Sequence, residues 1–244
     1  MRILVVDIGG THVKLMITGR RGRVKFDSGQ SMTPTRMMKQ IRTLIRDWTF
    51  DVASIGYPGV VRDDAPAVEP HNLGRGWVGF DFASAFGRPV RLINDAAMQA
   101  LGGYRGGTML FLGLGTGLGS ALVVDGTLAP LELGHLPRTT KHDYEHFVGE
   151  EARHRLGDRK WRHEIGEVMT TFRQAFLPDY IMLGGGNAIR LKRLPPGTRR
   201  SGKNDAFLGG SRLWQTPRST GIETDIVQLR PRSRRRSRAG GSAG

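Results

Sequence analysis

The stretch from Ile3 to Ile17 limits what this chain can fold into more than any other. A short apolar run predicts a buried strand, and this run ends at Asp7. Two glycines and a threonine follow, and Val13 and Leu15 then alternate with other side chains at the period of a strand. A dinucleotide fingerprint or a P-loop would need a helix after the glycines. The stretch therefore predicts a strand, a glycine turn and a second strand.

The composition of this turn suits a phosphate group. Glycines let the backbone come close to a ligand and point its N–H groups at an anion. Thr11 adds a hydroxyl donor. Because Asp7 has the same sign of charge as a phosphate, we expect its partner to be a Mg²⁺ ion or the waters around that ion. An ordinary hairpin with a tight turn would show the same pattern.

A second stretch, residues 110–126, repeats this layout. An apolar strand leads into Gly113–Gly119, a turn rich in glycine that contains Thr116, and a second apolar strand follows. Two such hairpins, about half of the globular length apart, favour two similar lobes that face one cleft. The repeat makes phosphate binding a better explanation than two ordinary hairpins.

Charge and composition narrow the class of protein. The 244 residues suffice for one large domain or two modest lobes with their own cores. A net charge of +15 and a pI of about 11.2 would suit nucleic acid. Much of this charge lies in the arginines from Arg230 to Arg238, and a second basic cluster spans residues 190–203. Such a basic tail is usually a solvated chain end.

Other features concern redox chemistry and compartment. No cysteine is present, so neither a disulfide nor a thiolate metal site can form. The apolar start is too short for a signal sequence and is interrupted by Asp7. No apolar run approaches the length that crosses a membrane. We therefore expect a soluble cytoplasmic protein.

Two more places offer chemistry at the end of a predicted strand. Asn94 and Asp95 follow the strand Val90–Ile93, and ligand groups in open α/β sheets lie at the carboxyl ends of strands. The same pair could instead be the N-cap of the helix that follows. Gly184–Asn187 is a strand-to-helix junction whose N–H groups and helix dipole suit an anion or a nucleotide.

With these pieces in order, the sequence resembles the ROK family (repressor, open reading frame, kinase) of sugar kinases, close to its polyphosphate-glucokinase-like branch. The resemblance covers roughly Arg2 to Trp214. The motifs that carry it are Asp7–Thr11, Asn94-Asp95, Gly113–Gly119, Glu132–His135, Glu145 and Gly184–Asn187. It implies an α/β fold with two similar lobes of the sugar kinase/actin (ribonuclease H-like) type around a central cleft.

The resemblance also implies roles for individual residues. Asp95 corresponds to the catalytic base, and the sugar would be bound by Asn72, Asn94, Asp95, Glu132, His135 and Glu145. Asp7 would hold Mg²⁺ through water. The phosphoryl donor would be bound by Asp7, Gly9, Gly10, Thr11, Lys14, Gly115, Thr116, Gly117, Gly184, Gly185, Gly186 and Asn187. The plain alternatives are that Glu132 and Glu145 are surface charges and that His135 is a core histidine.

One departure from the family concerns zinc. Many ROK proteins have a cysteine-rich zinc loop shortly after the Glu-x-Gly-His motif, and this chain has no cysteine. We therefore expect no zinc, and His135 is free to be a sugar ligand without also binding a metal. The loop Leu136–Asp143 would then need another source of order.

The predicted organisation is an N-terminal lobe over residues 1–107, a C-terminal lobe over 108–214 and a disordered basic tail over 215–244. Glycines at 102–103 and 106–107 suggest a hinge between the lobes. We expect a soluble kinase with a hexose and a phosphoryl donor as partners, without membrane or specific nucleic-acid binding. A homodimer is compatible with this prediction.

The resemblance implies phosphoryl transfer from ATP or inorganic polyphosphate to a hexose hydroxyl, with glucose to glucose 6-phosphate as the leading case. Its rival is a non-catalytic, sugar-sensing ROK regulator whose basic tail binds nucleic acid without sequence preference. Because the first strand begins close to Arg2, we expect no helix-turn-helix module before it. The sugar, the donor and the oligomeric state stay open at this point.

Overall fold

The computed structural model describes residues 1–215 and 227–228. Its strands are β1 (Ile3–Ile8), β2 (His12–Ile17), β3 (Val24–Asp27), β4 (Val52–Tyr57), β5 (Val61–Arg62), β6 (Ala65–Pro66), β7 (Val90–Asn94), β8 (Thr108–Leu114), β9 (Leu118–Val124), β10 (Thr127–Leu131), β11 (Tyr180–Gly184), β12 (Thr198–Arg200) and β13 (Val227–Gln228). Its α-helices are α1 (Pro34–Leu44), α2 (Phe82–Phe86), α3 (Asp95–Gly103), α4 (Glu145–Val148), α5 (Glu150–Phe176) and α6 (Asp205–Arg212). Short 3₁₀ helices lie at Leu133–His135 and Gly186–Arg190.

The first sheet has the strand order β3-β2-β1-β4-β7 and contains the first glycine hairpin. β1 and β2 are antiparallel with Asp7 opposite Lys14, as the sequence pattern predicts. β1, β4 and β7 run parallel, so their carboxyl ends meet at one edge. That edge brings Asp7, Tyr57 and Asn94 together, because each lies at or next to the end of its strand.

The second sheet has the order β12-β11-β8-β9-β10-β13 and contains the second hairpin. β8 and β9 are antiparallel, with Gly113 opposite Gly119, and β11 is parallel to β8. One apolar cluster joins this sheet to α5 and includes Leu110, Trp161 and Phe172. Each sheet therefore has one glycine hairpin, as the repeat predicts.

The layer between the two sheets is formed by α3 and α6. Although α6 follows β12 of the second sheet in the chain, it packs on α3 and on β1 and β4 of the first sheet. The packing is close, because a Cβ on Gly102 would lie 1.7 Å from the carbonyl oxygen of Asp205 and one on Gly209 would lie 1.8 Å from that of Met98. Gly102 and Gly103 are thus buried helix-packing residues inside α3, and the predicted hinge stays a prediction.

Several local predictions need small corrections. Thr33 caps α1 and Pro34 opens it, as predicted. The helix expected over His142–Leu156 begins only at Glu145 and is interrupted at Gly149. The expected break before the helix Arg159–Phe176 is confirmed, because Gly157 has the non-helical angles φ +75° and ψ 157°. The helix expected after Asn187 is a 3₁₀ turn.

The predicted tail lies mostly outside the described residues. Val227–Gln228 pairs antiparallel with Thr127–Leu128. We expected no secondary structure in the tail, so the prediction is wrong for Val227 and Gln228. The lobe boundaries at 107 and 214 stay predictions. Among the residues that the structure describes, no helix is long and apolar enough to cross a membrane.

Candidate active site

Asp95 and Asn94 lie where the end of β7 becomes the start of α3. Asn94 is buried and caps α3, because its side-chain oxygen accepts a hydrogen bond from the N–H of Ala97 at 3.0 Å. Its Nδ2 donates to the carbonyl of Gly59 at 3.2 Å and to Oε1 of Glu132 at 3.4 Å. The N-cap interpretation is therefore confirmed for Asn94. The same residue also reaches across to a predicted sugar-binding carboxylate.

The carboxyl group of Asp95 has a pKa above its usual value. Burial, with the negative charges of Asp7 and Glu132, raises the pKa of Asp95 to about 7, although a hydrogen bond from the N–H of Ala96 and the charge of Lys14 work in the other direction. An acid with a pKa close to the ambient pH can take up a proton and release it again. The raised pKa is one of the properties that a general base needs.

The first hairpin turns at Gly9–Thr11 beside Asp7. Asp7 is 3% exposed, and its Oδ2 accepts a hydrogen bond from Nζ of Lys14 at 2.9 Å. The turn is closed by a bond from the N–H of Gly9 to the carbonyl of His12 at 3.0 Å. Within residues 1–215, the N–H groups of Gly10 and Thr11 make no hydrogen bond, so they can donate to an anion.

The second hairpin approaches the first one closely. A Cβ on Gly10 would lie 3.2 Å from Oγ1 of Thr116 and 3.1 Å from Cβ of Asn72. Both glycine turns and Asn72 therefore meet at Gly10. In the described part of the chain, the N–H groups of Thr116 and Gly117 also lack a hydrogen-bond partner. Unused amide donors of the two turns thus lie close to one another, an arrangement that suits a phosphate chain.

Several polar groups surround Glu132 on the other side of Asn94. Oε2 of Glu132 lies 3.8 Å from Nε2 of His135, and Nδ1 of His135 lies 3.7 Å from Oδ2 of Asp143. The ring of His71 is 5.3 Å from that of His135, centroid to centroid. The His135 side chain is 45% exposed, so the core-histidine alternative is wrong.

A small cavity of about 90 Å³ adjoins this group. It is lined by Val60, Val61, Ile93, Asn94, Pro130 and Glu132. Burial raises the pKa of Glu132, Glu145 adds to that rise, and His135 and His71 reduce it. Carboxylate, amide and imidazole groups offer both donors and acceptors, as sugar hydroxyls require.

Glu145 lies beneath the second hairpin. Its Oε2 accepts a hydrogen bond from the N–H of Leu118 at 2.9 Å. A Cβ on Gly117 would lie only 2.0 Å from the same oxygen. Glu145 is therefore not a free surface charge, and a side chain at residue 117 would displace its carboxylate. The predicted contact of Glu145 with a sugar stays a prediction.

The Gly184–Asn187 segment ends β11 beside this hairpin. Asn187 is 7% exposed, and its Nδ2 donates to the carbonyl of Gly115 at 3.3 Å and to the carboxylate of Glu150. Its Oδ1 accepts from Nε of Arg190 at 3.3 Å. The side chain of Asn187 is thus used by protein groups, which leaves the glycine backbone of this segment as the part that could contact a donor.

The loop Leu136–Asp143 is ordered without any cysteine. The N–H groups of Arg138 and Thr139 both donate to the carbonyl of His142, at 3.0 and 2.9 Å. Nη1 of Arg138 binds Oε2 of Glu164 at 2.5 Å, and the guanidinium lies over the ring of Phe147 at 4.4 Å. No three His, Asp or Glu side chains of the described ranges are grouped so that they could hold a metal ion.

Some residues of the site are absent from the sequence prediction. His71 and Asp143 flank His135, and Glu150 binds Asn187. Proximity to a motif residue is a weak signal for His71 and Asp143, since His71 precedes Asn72 directly and Asp143 lies two residues before Glu145. Glu150 gives only the signal of an acid in the first turn of a helix, which is common.

The larger of two cavities in the described part of the chain does not adjoin Asp95. A larger cavity of about 580 Å³ lies at the opposite edge of the first sheet, around the residues that precede β1, β4 and β7. Trp48, Phe50 and Phe86 contribute to its wall. It is remote from Asp95 and from the first hairpin, because these lie at the carboxyl ends of the same strands.

Comparison with known proteins agrees with this architecture. The model of the ROK family matches residues 3–139. A polyphosphate glucokinase of Mycobacterium tuberculosis (strain CDC 1551 / Oshkosh) is 28% identical over 212 residues, which cover 78% of this chain and 80% of that protein. The inorganic polyphosphate/ATP-glucomannokinase of Arthrobacter sp. strain KM superposes with a TM-score of 0.76 at 25% identity, over 87% of this chain and 97% of that one.

A ROK family glucokinase of Streptomyces griseus, solved with glucose and AMPPNP, has a TM-score of 0.73 at 17% identity, over 87% of this chain and 99% of that one. At that identity the likeness concerns the fold alone. Together these superpositions confirm the predicted two-lobed fold of the sugar kinase/actin type.

Proposed function

The chain belongs to the ROK family, and we propose that it is a sugar kinase that transfers a phosphoryl group from ATP or inorganic polyphosphate to a hexose hydroxyl, with the 6-hydroxyl of glucose as the leading acceptor. The observation that carries the proposal is the position of Asp95. It lies at the carboxyl end of β7 with its pKa raised to about 7, between a hydrogen-bonded Asn94–Glu132 pair and the first glycine hairpin.

In this proposal Asp95 accepts the proton of the attacking hydroxyl. A general base must come within hydrogen-bond distance of that proton, roughly 2.6–3.2 Å between heavy atoms. Asn94, Glu132 and His135 bind and orient the hydroxyls of the sugar. Phosphoryl transfer needs little covalent help from the protein, so positioning and electrostatics supply most of the catalysis.

The donor lies between the two hairpins, where the N–H groups at Gly10, Thr11, Thr116 and Gly117 receive its phosphate oxygens. The residues present fit Mg²⁺: Oδ2 of Asp7 binds Lys14, and within residues 1–215 its other oxygen makes no hydrogen bond. Mg²⁺ usually keeps several waters and takes one or two carboxylates with substrate phosphates. When bound, the ion would neutralise charge on the phosphates.

Two considerations support polyphosphate beside ATP. Two of the three relatives named above are a polyphosphate glucokinase and a polyphosphate/ATP-glucomannokinase. The net charge of +15 also favours a polyanion through long-range attraction. The rival regulator role would depend on Arg230–Arg238, which lie outside the described residues.

The test is a matrix of sugars against donors, measured on the purified chain, on Asp95→Asn and on the exposed control Asp47→Asn. We expect Asp95→Asn to lower kcat by about 100- to 10,000-fold and to leave sugar affinity within about tenfold. Asp47→Asn should behave like the natural chain. Near-normal turnover of Asp95→Asn would remove Asp95 from this role. Salt-sensitive DNA retention without phosphorylation of any sugar would support the regulator.

A further inference from the structure

The second hairpin is held from behind by groups of three neighbouring segments. The carbonyl of Gly115 accepts a hydrogen bond from Nδ2 of Asn187 at 3.3 Å. The carbonyl of Thr116 accepts one from the N–H of Glu150 at 3.1 Å. The N–H of Leu118 donates to Glu145 at 2.9 Å. The carbonyls of the turn are thereby fixed toward α5 and β11, and its unused N–H groups remain available to a ligand.

Glu150 contributes twice to this support. Its N–H binds the hairpin directly, and its carboxylate accepts a hydrogen bond from Asn187, which binds the hairpin as well. The same carboxylate receives a forked contact from Arg153, with Nη2 at 2.5 Å from Oε1 and Nε at 3.3 Å from Oε2. These hydrogen bonds, together with one from His154, lower the pKa of Glu150 to about 2.

The contacts close into a ring of charged and polar side chains. Nη1 of Arg153 binds Oδ1 of Asp158 at 3.1 Å. Asp158 also lies 3.9 Å from Nη1 of Arg190, and Nε of Arg190 donates to Asn187. The ring therefore runs from Glu150 through Arg153, Asp158, Arg190 and Asn187 back to Glu150. It joins the start of α5 to the segment that follows β11.

We propose that Glu150 is a positioning residue for the phosphoryl donor, because its carboxylate holds Asn187, and through it the second hairpin and the Gly184–Asn187 segment, in one arrangement. This inference rests on the proposed function, since the donor binds these two segments only in a kinase. Glu150 need not touch the donor itself. Arg153 offsets its negative charge, so the carboxylate can lie near a phosphate site without repelling the ligand.

A carboxylate suits this position because Asn187 and Arg153 both donate to it. Asn187 presents its NH₂ group, and Arg153 presents two N–H groups. Glutamine would keep the shape but replace one acceptor oxygen with a donor, so one contact would be lost. Glu150→Gln is therefore the sharpest variant. Its matched control is Glu151→Gln, which changes the neighbouring exposed side chain on the same helix.

The experiment measures KM for ATP, for polyphosphate and for glucose, with kcat, in the natural chain and both variants. We expect Glu150→Gln to raise donor KM by roughly tenfold, as for loss of one charge-assisted hydrogen bond, and to leave glucose KM within about twofold. Glu151→Gln should change neither constant. Unchanged donor KM in Glu150→Gln, or an equal rise for glucose, would overturn the inference.

Hydrogen exchange supplies a readout that does not depend on activity. Glu150→Gln should speed exchange of the amides in residues 115–118 and 185–190 together, while β1 and β4 keep their protection. One outcome is that the natural chain phosphorylates no sugar while Glu150→Gln still causes this paired loss of protection. That result would contradict the proposed function but would support the coupling of Glu150 to the second hairpin and the Gly184–Asn187 segment. Protection that fell throughout the chain, or in neither segment, would contradict the role of Glu150.

A double-mutant cycle completes the test. Because Glu150 acts on the hairpin partly through Asn187, the effects of Glu150→Gln and Asn187→Ser on hairpin exchange should be less than additive. Glu151→Gln combined with Asn187→Ser should be additive. Additive effects of Glu150→Gln and Asn187→Ser would show that the two residues act separately and would overturn the proposed coupling.

Discussion

The two glycine hairpins look alike in sequence but are supported in different ways. The first hairpin is supported within its own sheet, where Asp7 binds Lys14 across the hairpin and Ser28, just after β3, donates to the carbonyls of Gly9 and Thr11. The second hairpin has no acid before its turn. Its support comes from outside, from Glu145, Glu150 and Asn187.

Under the proposed function, we therefore expect the two hairpins to contribute differently to catalysis. The first hairpin brings a buried negative charge close enough to Asp95 to raise the pKa of that residue. The second brings only backbone donors, and its carboxylates lie behind the turn. A similar local pattern can therefore serve one lobe as an electrostatic element and the other as a positioned set of amides.

The largest expected difference is between Gly10→Val and Gly115→Val. A side chain at residue 10 would press on Asn72 and Thr116, whereas a Cβ at residue 115 meets nothing within 4 Å. Neither glycine has a positive φ, so the effect is steric. Both variants should raise donor KM, Gly10→Val by about tenfold to a hundredfold, as expected from overpacking, and Gly115→Val by less. Equal effects in steady-state kinetics would contradict the asymmetry.

A smaller effect should separate the hairpins electrostatically. Asp95 must be deprotonated to act as a base, so kcat/KM should rise with pH through about 7. Asp7→Asn removes a negative neighbour, which lowers the pKa of Asp95 and moves this rise to lower pH. The pH profile of kcat/KM measures the shift, even where the maximal rate is reduced.

The control for this shift is Asp27→Asn on β3. The Asp27 side chain is 93% exposed, and its Oδ1 lies 3.5 Å from Nε2 of His12 on the neighbouring strand β2. Its substitution should leave the pH profile in place. Glu150→Gln neutralises a carboxylate that supports the second hairpin. It should also leave the pH profile in place, because Glu150 is not among the charges that shift the pKa of Asp95. A profile that moved equally in all three variants would remove the distinction between the hairpins.

The comparison also shows how far sequence reasoning reaches. Both hairpins, the strand before Asn94 and the cap at Thr33 follow from local patterns of glycine, apolar and capping residues. The packing of α6 between the sheets and the inward side chain of Asn187 depend on contacts between distant segments. No period or motif encodes such contacts, so neither the helix packing at Gly102 nor the contacts of Glu150 could be foreseen.

The smallest effect is expected from truncation after Gln215, a cut that keeps both hairpins and their supports. Leu213 is buried, and Nε1 of Trp214 donates to Oγ of Ser54 at 2.9 Å, so these residues must stay. The part removed contains few large apolar residues, and its described strand, Val227–Gln228, pairs with only two residues of β10. We therefore expect a folded chain with unchanged KM for ATP.

The truncated chain should differ from the full chain only toward a long polyanion. The arginines between Arg230 and Arg238 raise the local concentration of polyphosphate through long-range attraction, and screening shortens this attraction to roughly 8 Å at physiological ionic strength. KM for polyphosphate should therefore rise by about twofold to threefold at low salt and converge with that of the full chain as salt increases.

Truncation after Arg212, which also removes Leu213 and Trp214, is the contrasting variant and should lower the melting temperature. If the cut after Gln215 lowered it equally, or abolished ATP-dependent activity, the segment beyond residue 215 would be part of the second lobe, and the predicted boundary at 214 would be wrong.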